Sequence, residues 1–289
     1  MDKGLRLSMT NTRELPFLKT TAGKIKIRQL DRSRLVIRLL VLTLVAITIW
    51  ALATIDTGSM TFEVAIPAFF ANLNRIFLQP QLNDTTFSIL LNELMVTLGL
   101  ALIATLIGAV VSFFFALLAA RNLSSPYVSQ IVRAAMSFIR AIPAILWVLV
   151  FTISIGLGSQ AAIVGLMFQG MAFLVKAYSE TIEEIDNGVI EALKASGATW
   201  WQIVFQAVLP STLTALLSWT FIRLESNFGH AIAVGAAAGA GGIGFQLFMA
   251  GNMRMDMHEV GAIIYFLMAV AIVFELISMQ LRKRLMVKS

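Results

Sequence analysis

Four polar side chains that could act on a solute, Arg223, Glu225, Asn227 and His230, fall within one otherwise apolar stretch of the chain. An ionisable group at membrane depth costs about 2.5 to 3.5 kcal/mol on insertion scales, so such residues normally face a partner or a water-filled path. They are candidates for a translocation path or its gate. The competing reading is that Arg223 and Glu225 neutralise neighbours inside a bundle; being two apart, they cannot face each other on one helix. Three other patterns spell known chemistry without its context. Asp56-Thr57-Gly58-Ser59 is the aspartic-protease tetrapeptide, but it occurs once and between apolar runs. Gly239, Gly241 and Gly244, with Gly242 beside them, match G-x-G-x-x-G; that fingerprint binds a dinucleotide only between a strand and a helix, and these flanks are apolar spans. A sharp, irregular turn at the outer face is expected instead, where bare backbone can approach another chain or a solute. His230 and His258 are the two histidines, cysteine is absent and no H-E-x-x-H occurs, which leaves no metal site and no catalytic constellation.

What must position these residues is a membrane protein. Of 289 residues, 58% are hydrophobic and 13% charged, too apolar for a soluble domain. The net charge of +6 does not signal nucleic acid, because the basic residues stand at the ends of apolar runs and act as topology signals.

Residues 1–38 carry ten Lys or Arg and are expected to form a cytoplasmic tail. The run 39–55 follows without a small-residue cleavage site and reads as a retained first span. Residues 56–93 are mixed, with Arg75 against four acidic side chains, and read as an external loop with Phe69, Phe70 and Phe77 on an interfacial helix. The core, 94–281, opens with 27 uncharged residues, long enough to cross a bilayer of about 30 Å. Gly99, Gly108, Ser112 and Ala116 offer a close-packing face there. Arg121, Arg133 and Arg140 mark a return to the inside. The 35 uncharged residues 141–175 exceed one span, and Gly156-Leu157-Gly158-Ser159-Gln160 in their middle predicts a tight hairpin with Pro143 near the start of its first helix. A fifth span follows Pro210, a sixth covers 260–281, and 282–289 is a basic cytoplasmic end. About six spans with both termini in the cytoplasm satisfy these charges.

Between the hairpin and the fifth span lies the one long stretch that is polar and helically patterned, 179–210. Val189, Ile190 and Leu193, then Trp200, Trp201, Val204, Phe205 and Val208, recur at spacings of three and four. Gly197 stands where a helix ends in a left-handed cap, and Thr199 with Gln202 has capping-box spacing, which predicts two short amphipathic helices with a tight corner. Its aromatic face needs a cover, either the membrane surface or a docked protein. Glu191-Ala192, Gly197, Leu209 and Pro210 stand at the spacing of the E-A-A loop of ABC importer permeases, with Leu193 and Ala207 departing from it. Phe138–Phe151, Gly156–Gly158, Lys176–Ala198 and the run IRLESNFG followed by GAGGIG further resemble the phosphonate-type branch of that family.

The resemblance implies an all-α integral membrane protein with the type-I ABC importer fold, multi-pass in the bacterial inner membrane. It implies a homodimer, two ATP-binding subunits gripping the coupling elbow, and an external solute-binding protein. No G-x-x-x-x-G-K-S/T is present, so ATP and Mg²⁺ belong to the partner and this chain needs no cofactor of its own. Phosphonate, phosphite or a phosphate-like oxyanion is the expected cargo; another small solute such as an amino acid, or an ATP-independent channel or secondary transporter, is the alternative.

Overall fold

The computed structural model describes residues 32–54 and 62–286. Most of the basic tail, the Asp56–Ser59 tetrapeptide and 287–289 lie outside them. All described regular structure is helical: α1 (Arg32–Thr54), α2 (Phe62–Leu78), α3 (Phe87–Ala119), α4 (Pro126–Ala141), α5 (Ala144–Ile155), α6 (Ser159–Glu183), α7 (Asn187–Ala195), α8 (Trp200–Ile203), α9 (Leu209–Ala237), α10 (Ile243–Phe248) and α11 (Met257–Met286), with π-helical turns at Val204–Val208 and Met249–Met253. Helix α1 forms a unit by itself, and its apolar side chains are exposed all round, as lipid-facing side chains are.

The second unit begins at Phe62. Its centre is α3 against α6, where Ala101, Ala104, Ala116 and Ala119 are fully buried and the Ser112 hydroxyl donates to Met171 O at 3.3 Å. Small side chains let the two backbones approach, which is how helices pack where lipid offers no hydrophobic drive. Gly108, Ser112 and Ala116 share this face, whereas Gly99 has open space around it. Helix α3 starts seven residues before the uncharged run, so Asn92 and Glu93 are helical and not part of the loop.

Among the described residues five helices are long and apolar enough to cross a membrane, and a sixth crossing is available if the bent pair α4 and α5 counts as one. The expected hairpin forms from α5 and α6, packed closely where Gly165 meets Val148 and with Pro143 at the start of α5, but its first leg is short. Helix α5 has 12 residues, about 18 Å at 1.5 Å per residue, short of a bilayer core. The reason is Pro143: Ile142 before it is forced into extended geometry (φ −93°, ψ 127°), and the chain turns by 91° between α4 and α5. The Trp147 indole donates to Ile139 O at 3.0 Å across the bend. The glycine break after α5 is as expected, with Gly156 and Gly158 at φ +96° and +138°.

Candidate functional site

The elbow is built from local signals. Asp186 Oδ1 accepts the Gly188 N–H at 2.9 Å and opens α7. The helix closes with Gly197 N–H donating to Lys194 O and Ala198 N–H to Leu193 O, both at 3.0 Å, and Gly197 at φ +84°. Two orphan carbonyls are thereby satisfied by one left-handed residue. Thr199 then caps α8: its N–H donates to Gln202 Oε1 at 2.7 Å, and its hydroxyl accepts the Gln202 N–H.

The second helix of the elbow is not short. It runs as one 38-residue helix from Trp200 to Ala237 through the π-turn, where Leu209 N–H bonds Val204 O, five residues back. Pro210 supplies a reason, since it has no N–H for the Gln206 carbonyl and its ring would press on it; widening the turn relieves both. Elbow and span are therefore one piece.

Ile190, Ile203, Val204 and Val208 are buried against Leu174, Tyr178 and Ile182, and the Trp200 indole donates to Leu123 O at 3.1 Å. The two tryptophans part here, because Trp201 is 50% exposed and stacks on Phe205 with centroids 6.0 Å apart. Glu191, Ala192, Val189 and Pro210 are exposed, and Leu209 is partly so. Exposed Trp201 and Phe205 leave aromatic surface on the elbow that a membrane surface or a docked protein would cover.

The four polar residues of α9 do not converge. Arg223, Asn227 and His230 lie on one face, and Glu225 on the opposite one, about 200° away at 100° per residue. Arg223 is 4% exposed; its guanidinium donates to Gln169 Oε1, lies over the Phe173 ring at 5.9 Å, and fits because Gly170 has no side chain. Among the described residues it has no carboxylate partner, and its Nε is unpaired. Asn227 is fully buried and donates to Thr105 Oγ1 at 2.9 Å. Glu225 accepts from Ser278 on α11 at 2.9 Å.

The Glu225 face carries what the sequence reading passed over. Ser211, Thr214, Ser218 and Ile222 line an open cavity of about 680 Å³ that Thr181, Glu184 and Asp186 also line beside the elbow. Spacings of three and four mark them as one helical face, but periodicity does not say that a cavity adjoins it.

Residues 112–286 match the family of binding-protein-dependent transport system inner membrane components. The chain belongs to that family. Over 190 residues it is 33% identical to the phosphate-import permease protein of Mycolicibacterium smegmatis, covering 65% of this chain and 35% of that protein. It is 32% identical over 189 residues to the phosphite transport system permease protein of Stutzerimonas stutzeri, covering 65% and 68%. The match thus spans about a third of the mycobacterial protein's length. A chain of the inward-facing MetNI methionine ABC transporter superposes with a TM-score of 0.62 at 25% identity, over 71% of this chain and 99% of that one. The all-helical inner-membrane fold of type-I importer permeases is thereby established.

In this chain the glycine loop at the other end of α9 is occupied by the chain itself. Gly239, Gly241 and Gly242 hold φ of +59°, +76° and +79°. Gly242 N–H donates to Glu93 Oε2 at 2.7 Å and Ile243 N–H to Thr97 Oγ1 at 3.0 Å, while a Cβ on Gly244 would overlap the Ile232 carbonyl. The close approach expected of these glycines is made to α3 and α9 of the same protomer. No strand precedes the loop among the described residues, as a dinucleotide site requires. Glu93, the anchor of the loop, had read as the end of an external segment.

Proposed function

We propose that this chain is the translocation subunit of an ATP-driven importer for phosphonate or a related oxyanion such as phosphite or phosphate. It works as a homodimer with two ATP-binding subunits below and a solute-binding protein outside. ATP and Mg²⁺ act on the partner subunits, and this chain performs no catalysis. The observation that carries the reading is the rigid continuity of the elbow with α9: a push on Glu191, Ala192, Trp201 and Phe205 moves the span that bears the hydroxyl face and Arg223. Gly197 and the Leu209-Pro210 exit set the angle of that lever.

An anionic cargo is favoured over an amino acid by Arg223. A buried guanidinium without a counter-ion is costly, and at the midpoint of α9 it holds a positive potential across the path of an incoming anion. Because Arg223, Asn227 and His230 are turned into the protomer, their part is electrostatic and positional, while Ser211, Thr214, Ser218 and Glu225 face the moving solute. The relatives named for phosphate and phosphite import support the same class of cargo.

The test is reconstitution of the permease in vesicles with and without its ATPase and binding protein, supplying radiolabelled phosphite, phosphate, methylphosphonate or methionine. Uptake of an oxyanion that requires all components and ATP is expected. Uptake in vesicles lacking the ATPase would establish a channel or secondary transporter, and uptake of methionine alone would overturn the oxyanion.

A further inference from the structure

We infer that the cleft between α4 and α6 is a binding site for the phosphodiester headgroup of an anionic phospholipid of the cytoplasmic leaflet. The cleft encloses about 180 Å³ and is lined by Arg133, Ser137 and Arg140 from α4 and by Lys176 and Ser179 from α6, with Met136, Ala172 and Val175 as its apolar wall.

The charges around it nearly cancel, and the remainder fits a monoanion. Arg133 is committed: it donates to Ala119 O at 2.9 Å and pairs with Glu183 at 2.5 Å. Lys176 pairs with Glu180 at 3.6 Å, one turn along α6. Arg140 is exposed and has no hydrogen-bond or ion-pair partner among the described residues. The cleft is therefore left with one uncompensated positive charge and a free serine hydroxyl, the complement of one phosphodiester.

Its depth and its neighbours point to lipid. Arg133, Ser137 and Arg140 follow at spacings of four and three, so they form one polar stripe on α4. Tyr127, Ile131 and Phe138 form a separate stripe, exposed at 80%, 70% and 66%. The 91° turn into α5 means that if α5 points into the bilayer, α4 lies along its surface. A helix so placed keeps its apolar stripe at the acyl boundary and its cations at headgroup level. Arg121, Arg133, Arg140 and Lys176 put that surface on the cytoplasmic side.

The experiment is native mass spectrometry of the full-length permease in neutral detergent, with added dioleoyl-phosphatidylglycerol, dioleoyl-phosphatidylcholine or inorganic phosphate. Phosphatidylglycerol is expected to be retained selectively. The double variant Arg140→Gln with Lys176→Gln should retain it about tenfold more weakly, whereas Arg121→Gln, which removes an exposed cation outside the cleft, and the charge-keeping pair Arg140→Lys with Lys176→Arg should match the parent. Equal retention of the two lipids, or no change in the double variant, would overturn the site. Inorganic phosphate binding at these residues without lipid selectivity would assign the cleft to a soluble anion instead. Conversion of a dimer to a monomer by the double variant would assign it to a subunit interface. Size-exclusion profiles of all variants distinguish these outcomes from unfolding.

Discussion

Gly197 shows how far one residue can fix a mechanism. Nothing lies within 4 Å of the position its Cβ would take, so any substitution is judged by backbone alone. At φ +84° an L side chain costs about 1–2 kcal/mol, less for Asn, which tolerates the left-handed region. ATP-driven uptake should fall in the order Gly, Asn, Ala, Val, and Gly197→Trp should release the ATPase while membrane insertion persists. Full uptake by the Trp variant with its ATPase still bound would remove the coupling role. Asp256, between the Met249–Met253 turn and α11, answers to pH. The Asn83 amide donates to it at 2.5 Å and the N–H groups of His258 and Glu259 add to this, so its carboxyl is held below the ordinary value despite slight desolvation. A depressed carboxylate contributes stability above its unfolded pKa of about 3.9 and loses it as pH falls through the folded value. The melting-temperature gap between the parent and Asp256→Asn should be level from about pH 7 to 5 and close below about pH 4. A cap is an agreement between near neighbours, so Gly197 could be read locally, whereas the setting of Asp256 depends on Asn83, 173 residues away, and could not.

At the scale of the element, the 38-residue helix holds one irregularity inside the elbow, the π-turn at 204–208. A π-turn carries one residue more than an α-helix needs. Deleting exposed Gln206 should return it to α-helical winding and rotate Trp200 to Phe205 by about 100° against α9. The expected outcome is a monodisperse, inserted protein that hydrolyses ATP with its partner yet transports nothing; normal uptake would show that the angle between elbow and span is unimportant. The same helix separates charge by face. Arg223→Met replaces a buried charge with an apolar side chain of similar length, which is often neutral or stabilising. Its melting temperature and dimer should therefore be preserved while oxyanion uptake drops about tenfold or more, as expected when a positive potential at membrane depth is removed. Loss of the dimer instead would make Arg223 a structural brace. Helical periodicity in the sequence separates these faces, but the neighbours of each are distant in the chain: Gln169 lies 54 residues from Arg223, and Thr105 122 residues from Asn227.

For the whole molecule, the decisive property is sidedness. The proposed function requires the elbow to face the ATPase and the opposite turn to face outward; in that turn Arg254 pairs with Asp84 at 3.5 Å and with buried Glu259 at 3.2 Å. The chain has no cysteine, so single-cysteine reporters have no background. A membrane-impermeant maleimide should label Asp256→Cys on intact cells and Glu191→Cys only after permeabilisation; labelling of position 191 from outside would invert the topology and remove the ATPase from its proposed seat.

Membrane residence, helical class, the elbow and its caps were settled by the sequence alone, because hydropathy, the sidedness of basic residues and capping depend on composition and near neighbours. Tertiary structure decided the rest. It turned α5 into a short, bent leg at Pro143, gave the glycine loop to Glu93 and Thr97, fused the elbow to α9, and turned Arg223 and Asn227 inward with Ser211, Thr214 and Ser218 against a cavity. Each of these rests on side chains brought together from distant parts of the chain, and packing alone chooses which face of a helix meets which neighbour.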